Sequence, residues 1–123
     1  MANFVAAESI TLPVASGTVL AQHRCVNLNS SGQLVHTPDA NDYPVGVTLS
    51  DSPAGNDLAV PVAIRNGGIV KIQAGGDITA GALVAVEAGG TGQVVQSSTK
   101  TDSIGYATEA GADGRIIGVV LCN

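Results

Sequence analysis

Short apolar runs alternate with short polar breaks along the whole chain, and Gly, Asn, Asp, Ser or Pro closes nearly every run. Sixteen Gly and five Pro are spread over 123 residues, and inside a helix each costs about 1 and about 3 kcal/mol respectively. What stands between them is rich in Val and Ile, and β-branched runs bounded by turn formers read as strands. The pattern predicts strands over residues 9–12, 24–28, 33–36, 45–49, 58–64, 69–73, 83–87, 93–96, 104–108 and 115–122. The turns Asn29-Ser30-Ser31-Gly32 and Gly89-Gly90-Thr91-Gly92 carry the glycines that tight hairpins favour. Residues 33–36 alternate apolar and polar, as a half-buried strand does. Residues 58–64 do not alternate and read as buried on both faces. Pro61 within them cannot donate to a ladder, which predicts an edge strand or a bulge, covered by another subunit.

The chain also resembles itself. Shifted by 60 residues, Val26 lands on Val86, Gly32 on Gly92, Gln33 on Gln93, Leu34 on Val94, Val35 on Val95 and Asp42 on Asp102. A one-residue slip sets Val45-Gly46 on Ile104-Gly105, and a second sets Leu58 on Ile116 and Val62 on Val120. Two copies of a four-strand unit follow, at about 18–63 and 78–121, with 64–78 joining them and adding the strand at 69–73. One copy, at about 45 residues, buries too little apolar surface to be stable by itself. The predicted fold is therefore all-β with little or no helix, a small β-sandwich or barrel built from two similar four-strand units. Residues 1–13 read as an N-terminal arm and 14–123 as the β domain.

Composition changes what the surface is expected to do. Charged residues are 12% of the chain, about half the usual ~25%. A solitary monomer normally shows a surface rich in charge, so part of this surface is expected to be buried against other subunits. Five bases, Arg24, Arg65, Lys71, Lys100 and Arg115, are scattered against ten acids. No basic stripe exists to neutralise phosphates, so no nucleic-acid partner is expected. The net charge of −5 argues against anionic membranes as well. No apolar stretch approaches the ~20 residues of a spanning helix, and the N-terminus lacks the basic start and apolar core of a signal peptide. Synthesis in the cytoplasm is the expectation.

Catalysis needs convergent polar groups with tuned acidities, and the sequence offers few. His23 and His36 are the only histidines, and both read as surface or strand-edge residues. Cys25 and Cys122 have no Cys or His at ligand spacing and read as two reduced thiols in or near strands. No Gly-x-Ser-x-Gly elbow is present. The glycine-rich turn at 89–92 has no following Lys or helix, so it reads as a hairpin instead of a phosphate cradle. Asp39, Asn41 and Asp42 could offer oxygens to Ca²⁺, but no Glu completes the set. That loop reads as solvated. Asp51, Asp57 and Asp113 fall in turns, where Asp commonly bonds its own backbone. One Phe, two Tyr and no Trp leave little on which to stack a sugar or a base. The expectation is a protein with no cofactor, no metal and no catalytic residues.

The order of motifs is Gly17-Thr-Val-Leu, Gly32-Gln-Leu-Val, Pro44-Val-Gly-Val, Gly68-Ile-Val-Lys-Ile, Gly76-Asp-Ile-Thr-Ala-Gly-Ala-Leu-Val, Gly92-Gln-Val-Val, Ile104-Gly-Tyr-Ala and Gly114-Arg-Ile-Ile-Gly-Val-Val-Leu. It resembles the capsid cement, or head decoration, proteins of tailed bacteriophages across most of the chain, about Val14 to Leu121. The resemblance implies a structural virion protein that binds the capsid exterior, has the major capsid protein as its partner, braces the shell against internal DNA pressure and often forms trimers. It brings no catalytic residues with it. The segment before the matched part suggests an arm whose Phe4 and Val5 dock on a neighbouring subunit or on the shell. The alternative is a host-surface or glycan-binding β module of the virion, for which the loop at 37–43 is the only candidate.

Overall fold

The computed structural model describes residues 9–15, 18–39, 44–52, 59–64 and 68–121. Ten strands follow in chain order: β1 Ser9–Pro13, β2 Cys25–Leu28, β3 Leu34–His36, β4 Gly46–Thr48, β5 Ala59–Ile64, β6 Ile69–Gln73, β7 Leu83–Val86, β8 Val94–Gln96, β9 Gly105–Ala107 and β10 Ile116–Leu121. No helix occurs among the described residues. The strands form two antiparallel five-stranded sheets, ordered β1-β5-β4-β2-β3 and β6-β10-β9-β7-β8. They pack as a small sandwich. Neither closes into a barrel, because only the isolated bridges Val14↔Leu34 and Ala74↔Val94 tie the chain beyond the outer strand to the far edge of its sheet.

Adding five to each strand number of the first sheet gives the second. To the four strands expected in each copy the structure adds an outer one, so β6 takes in the second sheet the place that β1 takes in the first. Residues 9–13 of the segment read as an arm form β1, and residues 1–8 lie outside the described residues.

Register fixes which residues correspond. Cys25↔Val47 and Val47↔Ala63 in the first sheet match Leu83↔Tyr106 and Tyr106↔Val120 in the second. Ile10↔Val62 matches Val70↔Val119, and Leu28↔Leu34 matches Val86↔Val94. By this geometry Val26 corresponds to Val84 and Val62 to Val119, not to the Val86 and Val120 that a sequence shift suggests. The hairpin between Val86 and Val94 is longer than that between Leu28 and Leu34, and gap placement in glycine-rich sequence cannot see where the extra residues go.

Pro61 is not at an edge. Its strand, β5, lies between β1 and β4, with Pro61 opposite Thr11. The sheet tolerates the missing donor because Pro61 stands just past the last rung of β4. Its carbonyl accepts the Leu49 N–H at 3.0 Å, and the Leu49 carbonyl takes the Gln22 side-chain amide at 3.0 Å instead of a proline N–H. Gly118 fills the same place in the second sheet. Its N–H also leaves the ladder, donating to the Glu109 carboxylate at 3.1 Å. No buried backbone group is orphaned at either position, as buried polar groups require.

Alternation along the strands gives each sheet an inner and an outer face. The inner face of the first sheet, with Val26, Leu34, Val60 and Val62, closes on Val14 and Leu20 as a cluster of its own. Its outer face carries Cys25, Val47 and Ala63, and these join the core of the second half around Ile72, Ile78, Val84, Val94, Ile104, Ile117 and Val119. The first sheet is thus buried on both faces. Each fully buried Leu or Ile contributes about 1.5–3 kcal/mol.

One turn position shows how the two halves differ locally. His23 has φ 63°, the only positive φ among the described non-glycine residues, and Gly81 has φ 80° at the matching place before β7. The match is set by the bonds His23 N–H to Thr48 O and Gly81 N–H to Ala107 O. His23 is held there by its ring, whose Nδ1–H donates to the Lys71 carbonyl at 3.2 Å. An alanine at Gly81 would meet no atom within 4 Å and has no such anchor, so only backbone conformation opposes it. Gly81→Ala is expected to cost about 1–2 kcal/mol, read as a lower urea midpoint at unchanged slope.

Candidate functional site

The groups that chemistry would need are dispersed. His23 stands in the turn before β2. His36 ends β3 and is half-buried, and the Ala21 N–H approaches its Nε2 at 3.4 Å. Cys25 is fully buried between the halves. Cys122, Asp42 and Asp57 lie outside the described residues, as do Phe4, Val5 and Tyr43. Asp51 does not bond its own turn; its Oδ1 accepts the Gln22 N–H at 2.7 Å. Among the described residues no three His, Cys, Asp or Glu side chains gather as metal ligands. Of the loop at 37–43, Thr37 is buried, Asp39 is half-buried and 40–43 lie outside the described residues.

A groove of about 250 Å³ runs along the seam between the sheets, lined by Ser9, His23, Leu49, Ala63, Ile69, Val70 and Lys71. Two of its polar groups are turned to structure. The His23 ring bonds a backbone carbonyl, and the Lys71 ammonium pairs with Glu109 at 3.4 Å across exposed surface. That carboxylate's pKa is lowered first by the Gly118 N–H and then by Lys71. Among the described residues no hydrogen bond joins the Ser9 hydroxyl to the His23 ring, which is engaged with the Lys71 carbonyl.

Among the described side chains Arg24 joins the halves with three hydrogen bonds. Its Nε and Nη2 both donate to the Gln73 side-chain oxygen, at 3.0 and 2.7 Å, and Nη1 donates to the Thr91 carbonyl at 2.8 Å. The backbone supports it: the Cys25 N–H donates to Gly92 O at 2.7 Å and the Gln73 N–H to His23 O at 2.9 Å. In the sequence Arg24 is one of five scattered bases. Only register shows that Ala82 stands where Arg24 does, so that a charge appears in one copy where the other has a methyl group.

Arg24 also acts on His36. Burial, and then the nearby guanidinium charge, lower the His36 pKa from its ordinary 6.5. The folded state therefore holds His36 neutral where the unfolded chain would protonate it, and stability is lost as pH falls through the ordinary histidine range toward the folded pKa. Melting temperature is expected to fall between pH 8 and pH 5, and the fall to be smaller in His36→Gln, measured by thermal denaturation across that range.

The described surface offers apolar contacts. Ile10, Val19, Leu28, Leu49 and Ile116 are large and exposed, and on the outer face of the second sheet Leu83, Tyr106 and Val120 are half-buried. The class the fold defines is an all-β sandwich of two five-stranded sheets with a repeated strand order, showing apolar residues on both halves. The chain belongs to the phage cement proteins: the family model described by that name matches residues 5–121. It is a structural protein of the phage virion. Among solved structures it is similar to the N base of the head fiber gp8.5 of bacteriophage phi29, with TM-score 0.75 and 17% identity over 93% of this chain and 94% of that one. At that identity the likeness shows the fold. A search of curated proteins finds no match.

Proposed function

We propose that this protein binds the exterior of a phage capsid, through the major capsid protein, and stabilises the shell as a non-enzymatic decoration protein. The observation that carries this reading is the match of the cement family to residues 5–121. The low charge and the exposed apolar residues support it, because both suit a surface that ends up covered. The working form is a homo-oligomer, a trimer, assembled in the host cytoplasm and carried on the virion, with neither nucleic acid nor membrane as a partner. Purified protein mixed with undecorated heads should bind saturably at a fixed copy number and raise the temperature at which the heads rupture. Failure to bind heads, together with selective glycan binding, would overturn the reading.

Within it, Phe4 and Val5 are contacts to the shell or to a neighbouring subunit. A phenylalanine buried on docking contributes about 2–3 kcal/mol, so deleting residues 1–8 should weaken capsid binding roughly 30- to 150-fold. Unchanged occupancy in a titration of heads would remove the arm from the function.

A further inference from the structure

We infer that copies of this chain associate head to tail by repeating, between molecules, the contact that joins the two halves within one. The inference rests on the self-association proposed above and gives it a geometry.

Inside the chain, the outer face of the first sheet, Cys25, Val47 and Ala63, shares one buried cluster with Val70 and Val86 at the open end of the second half. Each partner in that contact has a register counterpart on the opposite half. The counterparts of Val70 and Val86 are Ile10 and Leu28. Val70 and Val86 are 5% and 3% exposed, whereas Ile10 and Leu28 are 43% and 44% exposed. The difference is not chemical, since all four are large aliphatic side chains on inner faces near strand ends. It is that the open end of the second half shares its buried cluster with the first half, whereas among the described residues nothing buries Ile10 and Leu28 at the open end of the first half. Conversely, the counterparts of Cys25, Val47 and Ala63 are Leu83, Tyr106 and Val120. The first three are buried at 0–2%, and the second three are only half-buried.

Each molecule therefore presents one unused face of each kind. The second half shows a stopper, and the first half shows an open end. These are different surfaces, so the contact is heterologous. It generates a ring if the rotation per copy closes and a filament if it does not. A second copy is the occupant that fits, because the same fold already seats this face on this end inside every chain. The polar latch is not repeated. Ala82 stands in the place of Arg24 and Pro13 in that of Gln73, so neither the guanidinium fork nor the Gln73 N–H bond has an equivalent between copies. The intermolecular contact is apolar, and its strength should change little with salt.

Sedimentation of the purified full chain, without capsids, tests the geometry. Wild type should exceed monomer mass at low and high salt. Leu28→Asp, which spoils the open end, and Tyr106→Asp, which spoils the stopper, should each sediment as monomers while keeping the wild-type circular dichroism spectrum. An equimolar mixture of the two should give a dimer, because one intact pair of faces remains. Ile10→Ser, on an edge strand, is the milder probe of the open end if Leu28→Asp loses its fold. Val120→Ser serves in the same way for the stopper. A wild type that stays monomeric overturns both this geometry and the self-association. An oligomer that survives folded variants of both faces, or a variant mixture that remains monomeric, overturns the geometry and leaves self-association standing.

Discussion

Gly105→Ala is expected to leave the chain largely unfolded. Gly105 opens β9 and pairs with Leu121 of β10. A Cβ there would overlap the carbonyl oxygen of Val120 and lie 2.8 Å from its carbonyl carbon. These are backbone atoms at the terminal rung of the β9–β10 ladder, so no side chain can swing aside. Gly46 stands at the matching rung of the first sheet, where a Cβ would overlap the Ala63 carbonyl oxygen and lie 2.6 Å from Val62 Cγ1. The same close crossing recurs in both halves, and in both the need is for space, since neither residue has a positive φ. Relief requires β9 and β10 to separate at the point where Ala107, Val119 and Leu121 enter the core. Substitutions of this kind reach about 4–5 kcal/mol or more, against a total of about 5–15 for a domain. Urea denaturation should show no cooperative transition, or one displaced by most of the wild-type stability. A loss as small as that expected for Gly81→Ala would mean that the two strands do not cross so closely.

The strands themselves were legible because each is a β-branched run stopped by residues with a local turn chemistry. The turn at 89–92 folds as its glycines suggest, with positive φ at Gly89, Gly90 and Gly92. What escaped the sequence depends on partners distant along the chain. Pro61 reads as an edge signal because proline lacks a donor. The structure places it in a flanked strand because Gln22 supplies the amide that the Leu49 carbonyl would otherwise lack, and nothing near Pro61 announces Gln22. The structural phase of the repeat differs from the sequence phase at Val26 and Val62 for a related reason. Valines in these strands are interchangeable by eye, and only hydrogen-bond register separates Val84 from Val86. The outer strands β1 and β6 were predicted as strands but not as equivalents, since Ser9-Ile-Thr-Leu-Pro and Ile69-Val-Lys-Ile-Gln have no residue in common at matched positions. The candidate contacts Phe4 and Val5 lie outside the described residues. The exposed pair Ile10 and Leu28 carried no sequence signal, because only comparison with their buried counterparts makes their exposure informative.

Arg24→Ala is expected to cost about 2–3 kcal/mol, and the loss to fall on the joint between the halves. Hydrogen bonds from a charged donor contribute about 1.5–3 kcal/mol when their acceptors are shielded. Water replaces part of this at a half-buried site, so the three bonds to Gln73 and Thr91 are not additive. The guanidinium is suited to the position because Nε and Nη2 grip one oxygen while Nη1 reaches a carbonyl on the β7–β8 hairpin. A lysine is a single point charge and cannot span both, so Arg24→Lys should recover only part of the loss. A double-mutant cycle with Gln73→Ala isolates the latch. The paired change should cost clearly less than the sum of the single ones, whereas simple additivity would show that the two side chains do not act together. The same substitution has a second readout. Removing the guanidinium leaves burial as the remaining cause that holds the His36 pKa down. In Arg24→Ala the histidine should therefore titrate at higher pH than in wild type, though still below its ordinary value. Its ring resonances, followed by NMR through the pH range, would register that shift even if the stability change were absorbed by repacking.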